Sequence, residues 1–180
     1  LFKERPNVIL SPNLPGRGVI DDLNWLSESI PAERLEQLQE SNTARPEAQE
    51  TFGIQARNLA KLSAEGVRIA FGTDGSDAWA AHIEMADMVA AGMSPAEVIV
   101  AATRNSAELL QLSDVGTVQA DKSADFVVLD ANPLDDITNT RRIAAVYLRG
   151  TKVDRAGMRT EWMSGSWSKF SPPYRSGATP

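Results

Sequence analysis

Residues 67–76 read VRIAFGTDGS, and the fold turns on this stretch. Val67 to Gly72 is a short apolar run that directly follows Gly66, a residue suited to the left-handed cap of a preceding helix, so it predicts a buried strand. That strand delivers Thr73 and Asp74 to its C-terminal end, where Gly72 and Gly75 let the chain turn sharply. In folds of alternating strands and helices, residues at the C-terminal strand ends line the active site. An Asp placed there can bind a cation through one oxygen and take a proton from water through the other. An Asp between glycines is also a common turn stabiliser, and spacing alone favours that second reading.

Upstream, Asn7 to Leu10 (NVIL) predicts another buried strand, ended by the Pro/Gly-rich loop SPNLPGRG. Leu35 and Leu38 mark a helix over residues 31–40. Pro46 opens a longer one with Phe52, Ala56, Leu59, Ala60 and Leu62 at helical spacing. Past Asp74, Ile83, Met85, Met88 and Val89 predict a helix from Ala80 to Gly92. Ser94-Pro95-Ala96-Glu97 then forms a capping box that opens a helix to about Leu112. Beyond it the period changes, and residues 116–119, 125–129, 143–149 and 151–154 read as short strands with a hairpin corner at Arg149-Gly150. The tail, residues 164–180, is rich in Ser, Pro and Gly and reads as irregular. The order is that of part of an α/β domain with an appended sheet.

Composition narrows the chemistry. The 180 residues are 42% hydrophobic and 23% charged with a net charge of −6, the balance of a globular domain with no basic face for nucleic acid. No apolar run approaches the roughly 18 to 20 residues that span a bilayer, and residues 1–6 lack a signal-peptide layout, which favours a cytoplasmic over a secreted setting. The chain does not begin with Met, so its true start is expected upstream. Without cysteine there is no disulfide, thiolate nucleophile or Cys-based metal site. With His82 as the sole histidine, a His-rich zinc site cannot be completed within these residues.

Three motifs occur in order: RIAFGTDGS, then EMADMVAAGMSPAEVIVAATRNSAELLQL, then GTVQADKSADFVVLDANPL. Together they resemble the end of the amidohydrolase superfamily, most closely its imidazolonepropionase-like and Xaa-Pro dipeptidase-like members, over residues 67–154. The resemblance implies the C-terminal part of a (β/α)8 TIM-type barrel, residues 1–112, with residues 67–72 as the last barrel strand and residues 7–10 as the strand before it. Residues 113–160 would be part of a small β-sandwich built from both chain ends, and residues 161–180 an irregular tail. It further implies that Asp74 is both a metal ligand and the general base toward the attacking water. The cofactor would be zinc, as one ion or two, or another divalent metal. The substrate would be a small-molecule amide, cyclic amide or dipeptide. The family's remaining ligands, a His-x-His, a lysine and two later histidines, would lie before Leu1, so the missing N-terminal part of the same protein is an expected partner. Homo-oligomerisation is compatible, and neither nucleic acid nor membrane is expected to bind. The alternative is a relative that has lost catalysis and serves as a structural or interaction protein. A terminal barrel piece on its own would expose the apolar faces of Val8, Ile9, Val67 and Ile69.

His82, at the start of the helix that follows Asp74, reads equally as a substrate contact at the barrel mouth and as a helix-start histidine bonded to a carbonyl. Asp77 reads as a loop or capping acid, Trp79 as a loop anchor more than a pocket wall, and Asn105 as satisfying a backbone group. In QADKSAD the family's turn glycine is replaced by Asp121, which must adopt a left-handed conformation at a small cost in stability. Lys122 and Asp125 are expected to pin that turn.

Overall fold

In the computed structural model, which describes residues 4, 5, 7–75, 77 and 79–163, the two runs read as strands pair in parallel. Strand β1 (Ile9–Leu10) and strand β2 (Arg68–Ile69) align Ile9 with Arg68 and Leu10 with Ile69. The Ala70 N–H donates to the Leu10 carbonyl at 2.8 Å just past the ladder. Both strands are shorter than the apolar runs that predict them; before β1 the Val8 N–H donates to the Arg5 carbonyl in a turn. Helices α1 (Ala32–Ser41) and α2 (Pro46–Ala64) lie between them in sequence. Pro46 opens α2, where a missing donor is harmless, and Gly66 closes it at φ +74°.

Helix α3 (Ala80–Ala90) precedes α4 (Pro95–Val100), whose start carries the expected capping box. Ser94 Oγ accepts from the Glu97 N–H at 3.3 Å, and the Glu97 carboxylate accepts from the Ser94 N–H at 2.7 Å. The helix does not run on regularly to Leu112. It widens into a π turn over Ala101–Asn105, resumes as α5 (Ser106–Leu109), and closes through the Leu112 N–H on the Ala107 carbonyl. The cause is local: Ser106 Oγ donates to the carbonyl of Ala101, five residues back, at 2.7 Å.

Strands β3 (Phe126–Leu129), β4 (Ile143–Leu148) and β5 (Thr151–Lys152) form a separate antiparallel sheet in the order β3-β4-β5. Arg149 and Gly150, both at positive φ, make the tight corner between β4 and β5. Phe126 stacks on its cross-strand partner Tyr147 with ring centroids 4.6 Å apart. The strand expected over residues 116–119 does not form. Gly116 sits at φ +85°, Lys122 reaches back to the Val115 carbonyl, and the Ser123 N–H donates to Asp114, so these residues fold as a closed loop. Asp121 adopts the left-handed conformation at φ +65°. Asp125 pins the turn by accepting from the Arg149 N–H and from Ser123 Oγ.

The described residues divide into two compact units, one within residues 4–21 and 41–153 and the other within residues 22–40 and 154–163. In the first, Leu14, Leu59, Ile69, Met85, Met88, Val98 and Ala101 are among the residues that make one core. Ile69 is therefore buried, contrary to the expected exposure, whereas Val8 is exposed and Ile9 and Val67 are half-buried. The second unit contains a short 3-10 turn (Asn24–Leu26), most of α1 and α6 (Arg155–Met163), with Gln39 Nε2 donating to Asn24 Oδ1. Residues 164–180, read as an irregular tail, lie outside the described residues. Among the described residues no helix is long and apolar enough to cross a membrane.

Candidate active site

Asp74 stands just beyond the C-terminal end of β2, exposed to solvent and held at φ +50°. An Asp tolerates that left-handed backbone better than most residues. The preceding Thr73 Oγ1 accepts from the Gly75 N–H at 3.1 Å, closing the turn on the far side of Asp74. Gly72 lies against the end of β1: a Cβ there would meet Asn13 Oδ1 and Ser11 Oγ, and those side chains would have to shift. The C-terminal ends of the two parallel strands are thus pressed together.

Between them opens a cleft of about 500 Å³ lined by Pro12 to Pro15, by Thr51 and Gln55 of α2, and by Thr73 and Asp74. Its polar groups are one carboxylate, two amides and two hydroxyls. Such a set suits a small polar molecule with hydrogen-bonding oxygens and nitrogens.

Behind the cleft wall, α3 buries two carboxylates. Glu84 accepts from the Leu14 N–H at 3.0 Å, and Asp87 Oδ1 lies 2.6 Å from Arg17 Nε. Arg17 also donates to Asp21 at 2.6 Å. Burial pushes the Glu84 carboxyl up to about 7; the Leu14 N–H opposes that shift and the charge of Asp87 adds to it. Burial likewise pushes Asp87 up to about 6, with Arg17 opposing.

His82 is half-buried, and its Nδ1 lies 3.1 Å from Oγ1 of Thr140 in the 3-10 turn Ile137–Arg141. Burial, then the charge of Arg141, holds its pKa below the usual value. His82 and Asp74 do not share the cleft lining. Asp77 is exposed, and its carbonyl accepts from the Ala80 N–H, so it serves the loop through its backbone. Trp79 is half-buried at the entry to α3. Asn105 Nδ2 donates to the Ile69 carbonyl at 2.8 Å, the backbone role its sequence position suggested.

Among the described residues no group of three or more His, Cys, Asp or Glu side chains could hold a metal ion. Asp74 offers a single carboxylate, short of the roughly three protein ligands of a catalytic site. The side chains present therefore do not by themselves fit a metal.

A family model described as Amidohydrolase family matches residues 4–153, most of the chain. The chain belongs to the Amidohydrolase family. Members of this family generally use divalent metals. The curated imidazolonepropionase of Pyrobaculum arsenaticum is 41% identical over 68 residues, 36% of this chain and 17% of that protein. That of Deinococcus radiodurans is 32% identical over 110 residues, 57% of this chain and 28% of that protein. The chain thus spans less than a third of the length of either curated relative. Among solved structures, a Xaa-Pro dipeptidase with bound methionine in its active site superposes with a TM-score of 0.54 at 29% identity, covering 66% of this chain and 31% of that one. A putative prolidase from Bifidobacterium longum superposes with a TM-score of 0.57 at 25% identity, covering 89% and 39%. The fold is α/β, consistent with part of a TIM-barrel-type amidohydrolase domain.

Sequence reasoning singled out neither Asn13, Thr51 and Gln55 nor the pair Glu84 and Asp87. For the pair a signal existed: two acids three residues apart in AAHIEMADMVA fall on one face of an otherwise apolar helix, where a charge needs a partner. Asn13 carried none beyond its place in the loop after β1.

Proposed function

We propose that this chain is the C-terminal portion of a longer metal-dependent amidohydrolase that cleaves C–N bonds in amides, cyclic amides or dipeptides. In this reading Asp74 is both a metal ligand and the residue that takes the proton from the attacking water. The observation that carries it is the placement of Asp74: an exposed carboxylate at the C-terminal end of β2, in the wall of a cleft, is where a barrel hydrolase needs its base. The names of the relatives, imidazolonepropionase and Xaa-Pro dipeptidase, support the substrate class. Because Asp74 is one ligand, the others must come from upstream sequence. Support for that also comes from the second sheet: Phe126, Val127 and Val128 are exposed on both faces of β3, as suits half of a sandwich whose other half lies upstream. Residues 1–112 then form barrel and residues 113–160 sandwich.

What Asp74 does follows from its chemistry. Its two oxygens let it orient a water by one hydrogen bond and accept the proton as the bond to the carbonyl carbon forms. The test is hydrolysis of the dipeptide Ala-Pro by the protein extended at its N-terminus with its own upstream coding sequence. Turnover that disappears in Asp74→Asn supports the reading, and undiminished turnover in that variant sinks it.

A further inference from the structure

The loop over residues 11–21 is anchored from beneath more firmly than a surface connection requires. Leu14 inserts its side chain into the core, with 7% of its surface exposed, while its N–H is taken by Glu84 at 3.0 Å. Arg17 is held by Asp87 at 2.6 Å, and the Gly18 carbonyl accepts from the Arg45 N–H and from Gln49 Nε2 on α2. Glu84 and Asp87 are themselves 5% and 2% exposed, so the helix carries the desolvation of two carboxylates in order to grip this loop.

What the grip presents is Asn13. It is exposed in the cleft wall, adjoins the Gly72 turn that leads to Asp74, and is held at φ +44°. Its Oδ1 accepts from Ser11 Oγ at 3.0 Å, which fixes the amide's orientation and leaves Nδ2 with no protein partner among the described residues. A left-handed, pre-oriented donor in a cleft beside a carboxylate is an arrangement suited to an oxygen of a bound ligand.

We propose that Asn13 is a substrate-contacting residue whose Nδ2 donates to a carbonyl or carboxylate oxygen of the amide or dipeptide, and that Glu84 and Asp87 are positioning residues that hold it there by clamping the loop. This rests on the hydrolytic reading of the cleft. Glu84 acts through the Leu14 N–H, and either a carboxylate or a primary amide oxygen can accept that bond. Asp87 acts through Arg17, where the charge itself is needed.

The experiment uses the N-terminally extended protein with Ala-Pro as the probe. Asn13→Gly keeps the left-handed backbone without strain and removes the donor, so KM rises roughly tenfold while kcat changes little. Asn13→Asp keeps shape and backbone but replaces the donor by a negative charge, and its KM rises further. Glu84→Ala reproduces the Asn13→Gly increase, whereas Glu84→Gln restores KM to near the wild-type value; a Glu84 that served stability alone would leave KM alike in both. Hydrogen exchange of the Leu14 amide, measured on the same proteins, is faster in Glu84→Ala and protected in Glu84→Gln. Equal protection in all three overturns the clamp. Unchanged KM in Asn13→Gly and Asn13→Asp overturns the contact. If the wild type binds Ala-Pro by calorimetry without hydrolysing it, loss of affinity in Asn13→Gly upholds the contact and overturns only the hydrolytic reading. A protein that does not bind the dipeptide at all overturns both.

Discussion

Asn105 Nδ2 donates to the carbonyl oxygen of Ile69 at 2.8 Å, so a helix side chain satisfies a strand carbonyl that has no strand beside it. The next residue continues the substitution, because Ser106 Oγ accepts from the Phe71 N–H at 3.0 Å. Ile69 is buried, and a carbonyl there left without a donor would be costly. Asn105→Ala is therefore expected to lower stability by about 1–3 kcal/mol. Urea denaturation checks it, and an unchanged midpoint would show that water reaches the strand edge.

Asp74 sits at φ +50°, which separates its backbone role from its chemistry. Asn and Gly accept that conformation, so Asp74→Asn and Asp74→Gly should unfold at the same denaturant concentration as the wild type or higher. A β-branched residue does not, and Asp74→Val should cost roughly 1–2 kcal/mol. Under the proposed function, Asp74→Asn loses turnover by about 10²- to 10⁴-fold in the same folded state. Circular dichroism beside the activity assay distinguishes the two effects.

Glu84 and Asp87 make stability depend on pH in an uncommon direction. Burial lifts Glu84 from 4.5 to about 7 and Asp87 from 3.8 to about 6. The folded state then binds more protons than the unfolded state between those values, so stability falls as pH rises. Their contribution is fully present below the unfolded values and is lost across roughly pH 4 to 7, by an amount on the order of a few kcal/mol. Arg17 opposes the shift at Asp87, as Arg141 does more weakly, and Asp21 adds to it. His82, whose pKa is lowered, acts in the opposite sense, its contribution being present above 6.5 and lost as pH falls. Urea midpoints at pH 5 and pH 8 should show the wild type less stable at the higher pH and Glu84→Gln falling less between them, the remaining fall coming from Asp87. A wild type more stable at pH 8 contradicts the assignment.

The capping box at Ser94 offers a control far from the cleft. Ser94→Ala removes the acceptor for the Glu97 N–H and a donor to the Glu97 carboxylate, which Ser94 holds below its usual pKa. The expected loss is about 1 kcal/mol, with catalytic constants unaltered. Thermal denaturation and the Ala-Pro assay together test it.

Zinc binding tests the count of ligands. With Asp74 the sole candidate ligand in the cleft and no cluster of three among the described residues, the 180-residue chain should bind zinc weakly and hydrolyse no amide on its own. Sub-micromolar affinity by calorimetry would refute this, whereas tight binding that appears after N-terminal extension agrees with ligands upstream.

How much of this was legible in the sequence depends on the range of the interaction concerned. The helix starts at Pro46 and Ser94, the cap at Gly66, the left-handed Asp121 and the Arg149-Gly150 corner are set by neighbours a few residues apart, and a linear reading captures them. The position of Asp74 was legible for the same reason: a strand that ends in Gly-Thr-Asp-Gly presents its Asp there in any surrounding fold. Residues 116–119 looked like a strand because alternation is a local property, but a strand also needs an edge to pair with, and Gly116, Lys122 and Ser123 close these residues into a loop instead. The cleft belongs wholly to tertiary structure. Asn13, Gln55 and Asp74 are brought together by the pairing of β1 with β2 across all the intervening chain from Ser11 to Val67. The acids of α3 show a periodic charge, but only folding brings Leu14 and Arg17 to them, because what stabilises a buried carboxylate is a donor whose place in the sequence has no bearing on its place in space.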